Sequence, residues 1–265
     1  MTVDPSATVH PSAVIEDGAQ VGPGCRIGPF CIVGPDVMLG AGVDLRSHVV
    51  VTGWTEIGPG TVVWPFAVLG EVPQDLKFAG ERTRLTIGAR NRIREHVTMN
   101  VGTAGGGGVT SVGDDGLFMA GCHIAHDCRI GDRVIVVNAS AVAGHCVLED
   151  DVIVGGLSGI HQWVRVGRGA IVGALSMVTH DVVPYGLVQG PRAELDGLNL
   201  VGLKRRGVPR DEIQALRAAL LTLKQGEGTF VERARRLGEE TDSEHVRRMM
   251  AFVTGASDRS FLVPR

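Results

Sequence analysis

Residues 21–45 read Val21-Gly-Pro-Gly-Cys-Arg-Ile27-Gly-Pro-Phe-Cys-Ile-Val33-Gly-Pro-Asp-Val-Met-Leu39-Gly-Ala-Gly-Val-Asp-Leu45, with a branched aliphatic at every sixth position. Extended in both directions, the register holds from Val3 to Leu69, where all 12 positions are Val, Ile or Leu. It returns at Ile87, Ile93 and Met99, slips by one residue, and runs unbroken from Val112 through Phe118, Ile124 and Ile130 to Val178. A helix repeats near 3.6 residues and a half-buried strand at 2, so neither explains a period of six. A coil of three short sides does. Each hexad is one side, with its aliphatic inward and a small residue such as Ala19, Cys25, Ala67 or Ser140 in the fifth slot. The frequent second-slot glycine (Gly22, Gly28, Gly58, Gly167) is expected to ease the corner. About 18 residues then complete one turn, and stacked turns pair as parallel strands around a continuous core. The fold class is mainly β, a parallel β-helix of hexapeptide repeats.

Composition agrees. Of 265 residues, 44% are hydrophobic but only 4% aromatic, and 38 are glycine, which suits a narrow interior without rings. The net charge of -3 gives no argument for nucleic acid. Apolar runs such as Val134 to Val137 are too short to cross a bilayer, and the N-terminal segment lacks a secretory pattern, so a cytoplasmic protein without an integral membrane segment is expected. The five cysteines all occupy the fifth slot and read as core filler, neither disulfides, nucleophiles nor ligands.

Two stretches break the register, from about Val72 to Arg84 and at Gly105–Gly108, and insertions of this kind become loops on one face. After Pro184 the pattern turns helical. Leu195 to Arg206 reads as one helix, Asp211 opens a second, and Thr229-x-x-Glu232 and Thr241-x-x-Glu244 read as capping boxes for two more. We therefore divide the chain into a β-helix domain, 1–192, and a C-terminal α-helical domain, 193–265. From Ala193 onward 13 Lys or Arg face 11 acidic residues, a slight positive excess against a negative solenoid. A solvated face explains most of those cations; an acidic partner or phosphate is the sharper alternative.

Four of the nine histidines fall in hexads headed by Ile124, Val142, Ile160 and Val178, which are 18 apart. His126, His145, His161 and His180 thus lie on one side of consecutive coils, about 4.8 Å apart along the axis, with His123 at the adjoining corner. A surface line of imidazoles beside Asp127 suits proton transfer at neutral pH. Zinc bound between coils is the main rival. No two histidines are five apart, the spacing that γ-class carbonic anhydrases use, so no metal or cofactor is expected. Neither a Gly-x-Ser-x-Gly elbow nor a phosphate-binding Gly-Lys-Ser/Thr loop is present, which favours direct transfer assisted by a general base.

Ile27–Pro35, Ser47–Val51, Gln74–Lys77, Asn91–Glu95, Ile124–Cys128, Ala143–His145, His161-Gln162 and Gly202–Gly207, in that order, resemble the UDP-N-acetylglucosamine O-acyltransferases that begin lipid A synthesis. The resemblance implies a left-handed coil, a homotrimer with sites between subunits, and an R-3-hydroxyacyl donor carried on acyl carrier protein. It implies His126 as the base for the sugar 3-hydroxyl, Asp127 as its orienting partner and the Gly144 N–H as oxyanion donor. Asp75, Lys77, His123, His145, His161 and Gln162 would hold the sugar nucleotide or donor. Asn199, Arg205 and Arg206 would meet phosphates or the carrier. Ala174, with Arg192, would gauge acyl length. Asn100-Val101 and Val201 depart from the family pattern, which leaves open N-acylation of a 3-amino analogue. The later N-acyltransferase of the same pathway is a further alternative.

Overall fold

The computed structural model describes residues 1–264. Three parallel sheets form the sides of a prism. One runs from Thr2–Val3 to Arg165–Val166, the second from Thr8–Val9 to Ile171–Val172, and the third from Val14–Ile15 to Met177–Val178. Most strands are two residues long, and partners lie 18 apart, as in Val21↔Leu39 and Ile27↔Leu45. The coil is a left-handed β-helix. The inward aliphatics make one continuous core, with Ile27, Leu45, Ile57, Phe118 and Ile124 at most 1% exposed.

The corner is built differently from the expectation. Among the described residues fifteen non-glycines have positive φ, and all but Tyr185, which follows the last hexad, occupy the fourth slot, among them Phe30, His48, Asp127, His145 and Trp163. Left-handed backbone costs such residues roughly 1–2 kcal/mol each. What holds most of them is a hydrogen bond from the fourth-slot N–H to the third-slot carbonyl one coil away, such as His48 to Pro29 at 2.9 Å, while Phe30 and Asp127 donate to the Ser12 and Thr110 hydroxyls. Second-slot glycines serve close packing instead. A Cβ on Gly28 would lie 2.8 Å from the Arg46 carbonyl, and one on Gly58 2.5 Å from that of Gly88.

Both insertions lie on one edge. Ile57 pairs with Ile87, 30 residues on, and Ile87 with Val112, 25 on, so loops of 12 and seven extra residues emerge there. The cysteines are all fully buried, and burial raises the Cys122 thiol to about 12.

The C-terminal region departs from the expected helix over Leu195 to Arg206. Glu194–Leu198 is a strand, antiparallel to Gly186–Gln189 and continuing the second sheet. The turn at Gly190-Pro191 brings Leu195 opposite Val188, both fully buried, and this packing overrides helical propensity. The first helix, α1, is only Leu200–Arg205, and its N-cap Asn199 accepts from the Gly202 N–H. Next come α2 (Arg210–Lys224), α3 (Phe230–Glu240) and α4 (Glu244–Thr254). The Thr229–Glu232 capping box forms as expected. The second box does not. Ser243 caps α4 through the Val246 N–H, while Thr241 ends α3. Among the described residues no helix is long and apolar enough to cross a membrane.

Candidate active site

The hexads headed by Ile124, Val142 and Ile160 pair in register on the third sheet, and Ile160 pairs with Val178. The four histidines therefore share a side, but they do not form the expected surface line. His161 occupies the second slot, His126 and His180 the third, and His145 the fourth. Slot alone does not decide their surroundings, since His126 and His180 share one. Only His126 and His145 meet, as an edge-to-face pair with centroids 4.9 Å apart, and His126 is buried. His180 stands exposed, bonded to the neighbouring Thr179.

His126 and Asp127 take adjacent slots at the bend, where φ of +59° at Asp127 turns the two side chains together. The His126 Nδ1 lies 2.8 Å from Asp127 Oδ2. The buried carboxylate also accepts the Thr103 N–H at 2.9 Å and the Thr103 hydroxyl at 2.6 Å. Its own backbone N–H donates to the Thr110 hydroxyl at 2.8 Å. With Nδ1 given to Asp127, Nε2 is the ring nitrogen left for a ligand.

Glycines make this geometry possible. The imidazole lies over Gly144, where a Cβ would approach Cε1 to 2.6 Å and Nε2 to 2.7 Å. The Gly144 N–H makes no hydrogen bond within the described chain. Its slot, the third, elsewhere holds Pro23, Pro29, Pro35 and Pro59, so the regular backbone ladder leaves this donor free; at Ala89, Asp114, Asp132 and Arg168 a side-chain carboxylate takes it, and at Gly144 none does. The recurrent third-slot prolines were the available signal for a spare N–H at Gly144. The second insertion closes the other flank. It forms a short 3-10 turn, Ala104–Gly106, and a Cβ on Gly106 would sit 2.0 Å from Asp127 Cγ. Thr103 and Gly106 are thus parts of the site that the hexad pattern did not reveal.

These groups open into a cavity of about 360 Å³ lined by His126, His123, Gly144, His161, Gln162, Gln74, Asn100 and Met177, among others. His123 is half-buried and bonded to the Thr98 hydroxyl at 2.8 Å. Asn100 donates from Nδ2 to the Glu71 and Val72 carbonyls, while its buried Oδ1 has no partner among the described residues. His145 lines a second hollow of about 290 Å³ with Asp127, Arg129 and Trp163. Its ring stacks on Trp163 at 3.8 Å with an interplanar angle of 2°. Burial lowers the affinity of both His123 and His145 for a proton; the neighbouring His126 adds to this, while Asp127 partly offsets it at His145.

The other expected residues lie elsewhere. In the first loop Gln74 lines the cavity, whereas the Asp75 carboxylate accepts the Lys77 N–H and closes its own turn. Asn199, Arg205 and Arg206 are not brought to His126 within one chain. Asn199 braces α1 against the Gly169 carbonyl, Arg206 reaches the same carbonyl, and Arg205 is exposed. Ala174 and Arg192 share a separate hollow, although Met177, which bridges to Arg192, lines the main cavity. His126, Asp127 and His145 bring three potential metal ligand atoms within 4.8 Å. Asp127 Oδ2 already accepts from His126 and Thr103, so this trio is first a hydrogen-bonded relay.

A hexapeptide-transferase family model matches residues 18–53, and the model for domain 2 of UDP-N-acetylglucosamine O-acyltransferase matches 181–262. A curated acyl-[acyl-carrier-protein]–UDP-N-acetylglucosamine O-acyltransferase of Paracoccus denitrificans is 69% identical over 198 residues, 75% of each chain. One from Rhizobium johnstonii is 50% identical over 225 residues, 84% of this chain and 83% of that one. The solved UDP-N-acetylglucosamine acyltransferase of Campylobacter jejuni superposes with a TM-score of 0.91 at 40% identity, covering 97% of this chain and all of that one.

Proposed function

This chain belongs to the acyl-[acyl-carrier-protein]–UDP-N-acetylglucosamine O-acyltransferase family, and we propose a direct transfer, without a covalent acyl-enzyme, with His126 as its base. The protein transfers an acyl chain from acyl carrier protein to UDP-N-acetylglucosamine, the first step of lipid A synthesis. The relatives are named as O-acyltransferases, so oxygen is the acceptor and the 3-amino alternative gains no support. We take the donor to be an R-3-hydroxyacyl thioester, the acceptor the sugar 3-hydroxyl, and the compartment the cytoplasm.

The observation that carries the mechanism is the relay Thr103–Asp127–His126 ending at a cavity. The His126 Nε2 removes the hydroxyl proton as the sugar oxygen attacks the thioester carbonyl. The Gly144 N–H, without an internal partner, stabilises the developing oxyanion. Collapse of the tetrahedral intermediate breaks the C–S bond, and the proton on His126 passes to the departing carrier thiolate. Asp127 keeps the ring in the required tautomer throughout. His123, Gln162 and Gln74 offer polar contacts to the sugar nucleotide, and Met177 an apolar one to the acyl chain. Ala174 and Arg192, next along the face, are the positions at which acyl length is read.

The subunit reading is a homotrimer. Phe30, Phe66, Leu157 and Leu175, all fourth-slot residues of one corner, are between 50% and 65% exposed, and Val14, Ile32 and Met177 on the adjoining face are also exposed. The main cavity opens on that face, so a second copy packed there would close it. Asn199, Arg205 and Arg206 would then act across the interface or toward the carrier.

The test is initial-rate transfer from carrier-bound hydroxyacyl chains to UDP-N-acetylglucosamine. Replacing His126 with Ala should lower the rate by about 10² to 10⁴ with the fold intact. Unchanged transfer in that variant overturns the assignment.

A further inference from the structure

The segment after α4 turns back onto the solenoid. The Asp181 N–H donates to the Ser260 carbonyl at 2.8 Å, and the Leu262 N–H to the Asp181 carbonyl at 2.9 Å. The Ser257 hydroxyl donates at 2.6 Å to Oδ2 of the fully buried Asp181, the oxygen that also accepts Arg165 Nε at 2.7 Å. From this anchored strap Arg259 reaches two residues of the main cavity. Its Nη2 lies 2.9 Å from His161 Nδ1, and its Nε donates to the Gln162 carbonyl at 3.1 Å.

The Gln162 carbonyl also lies 3.3 Å from Nδ1, but it already accepts from Arg259 Nε, and the guanidinium, which has five donors and no acceptor, is nearer at 2.9 Å, so the contacts favour Nδ1 as the acceptor. A neutral imidazole accepting there carries its proton on Nε2, and Nε2–H becomes the nitrogen that can meet a ligand. His161 and Gln162 lie one coil from Gly144 and two coils from His126, about 4.8 and 9.6 Å along the axis. Both line the cavity into which His126 opens, so an acceptor spanning two coils can meet the base and His161 together.

We propose that Arg259 is a positioning residue: the C-terminal strap holds His161 as an Nε2–H donor to an oxygen of the bound acyl acceptor. The inference rests on the proposed function, because it takes the occupant of the cavity to be the sugar nucleotide. The strap is thereby part of the site, although it lies 98 residues from the histidine it fixes.

The test compares R259Q, R259K, H161A and the double variant R259Q/H161A in the full-length protein, by initial rates, melting temperature and the ¹⁵N chemical shifts of His161. In R259Q the KM for UDP-N-acetylglucosamine should rise about 3- to 10-fold, the worth of one hydrogen bond, with kcat within twofold of the parent. R259K, which keeps a cationic donor, should recover part of the loss. The double variant should be no worse than H161A, since each substitution removes the same contact. In the parent, His161 should show a bare Nδ1 and a protonated Nε2. A protonated Nδ1, an unchanged KM in R259Q, or additive losses in the double variant would overturn the proposal. Loss of fold in R259Q leaves the parent's ¹⁵N spectrum to decide. If the parent shows no transfer at all, the functional reading fails, and the ¹⁵N result still judges the Arg259–His161 contact.

Discussion

Gly106→Ala tests the site at a residue that carries no chemistry of its own. A Cβ there would stand 2.0 Å from Asp127 Cγ, 2.2 Å from Oδ2 and 2.4 Å from Oδ1. Ordinary contact begins near 3.4 Å, so the carboxylate or the turn must yield by roughly 1.4 Å. Neither can do so freely. Asp127 is held by two bonds from Thr103 and one from His126, and the Thr103 side chain also accepts the Gly106 N–H. A shift of that size stretches the 2.8 Å His126–Asp127 bond beyond 4 Å and frees the imidazole to rotate or change tautomer. Loss of a correctly set general base costs about 10² to 10⁴ in rate. We expect the lower end, about 10²-fold in kcat, equivalent to about 2.7 kcal/mol of barrier. Gly105→Ala is the matched control: a Cβ there meets nothing within 4 Å, and its φ is not positive. The assay is kcat and KM for both variants beside their melting temperatures. Gly106→Ala with more than half the parent kcat would refute the idea that the glycine turn seats Asp127. Equal losses in the two variants would do the same.

Gly144→Ala places a methyl 2.6 Å from His126 Cε1 while keeping the backbone N–H, so kcat should fall about 10²-fold with native-like circular dichroism. Near-parent turnover would show that the ring does not need to lie over this residue. Asn100 presents an unpartnered buried Oδ1 at the cavity, so Asn100→Ala should raise the KM for the sugar nucleotide about 3- to 10-fold, and an unchanged KM would remove it from the binding surface. The proton affinities of His123 and His145 lie below the ordinary histidine value of 6.5. Below about pH 6.5 the unfolded chain therefore takes up protons that the native imidazoles do not, and stability falls with falling pH. Urea midpoints at pH 7.5 and 5.5 should show the drop, and His123→Gln should lessen it; identical slopes for parent and variant would contradict this.

The site was legible in part. The coil singles out His126 and Asp127, the family resemblance alone points to Gly144, and the structure brings the three together; the bend that joins the first two follows from their adjacency. The alignment of four histidines was misleading because a shared hexad does not mean a shared slot. Nor does a shared slot mean a shared environment, since His126 and His180 both take the third, yet one is buried over Gly144 and the other is exposed. Leu195 was misread as helical because its strand partner, Val188, lies across a turn that no periodicity marks.

By itself the sequence determined the solenoid, because every hexad repeats the same local rule. An aliphatic goes in, a small residue follows into the narrow interior, and stacking at 18 residues does the rest. The buried cysteines belong to that rule as well. How the second insertion and the C-terminal strap close the site depends on packing between distant segments. Thr103 meets Asp127 across 24 residues, and Arg259 meets His161 across 98. Such contacts depend on the path of an insertion and of a C-terminal strap, whose positions are set by packing against the finished prism. A period can state where a coil returns; it carries no information about segments that leave the coil.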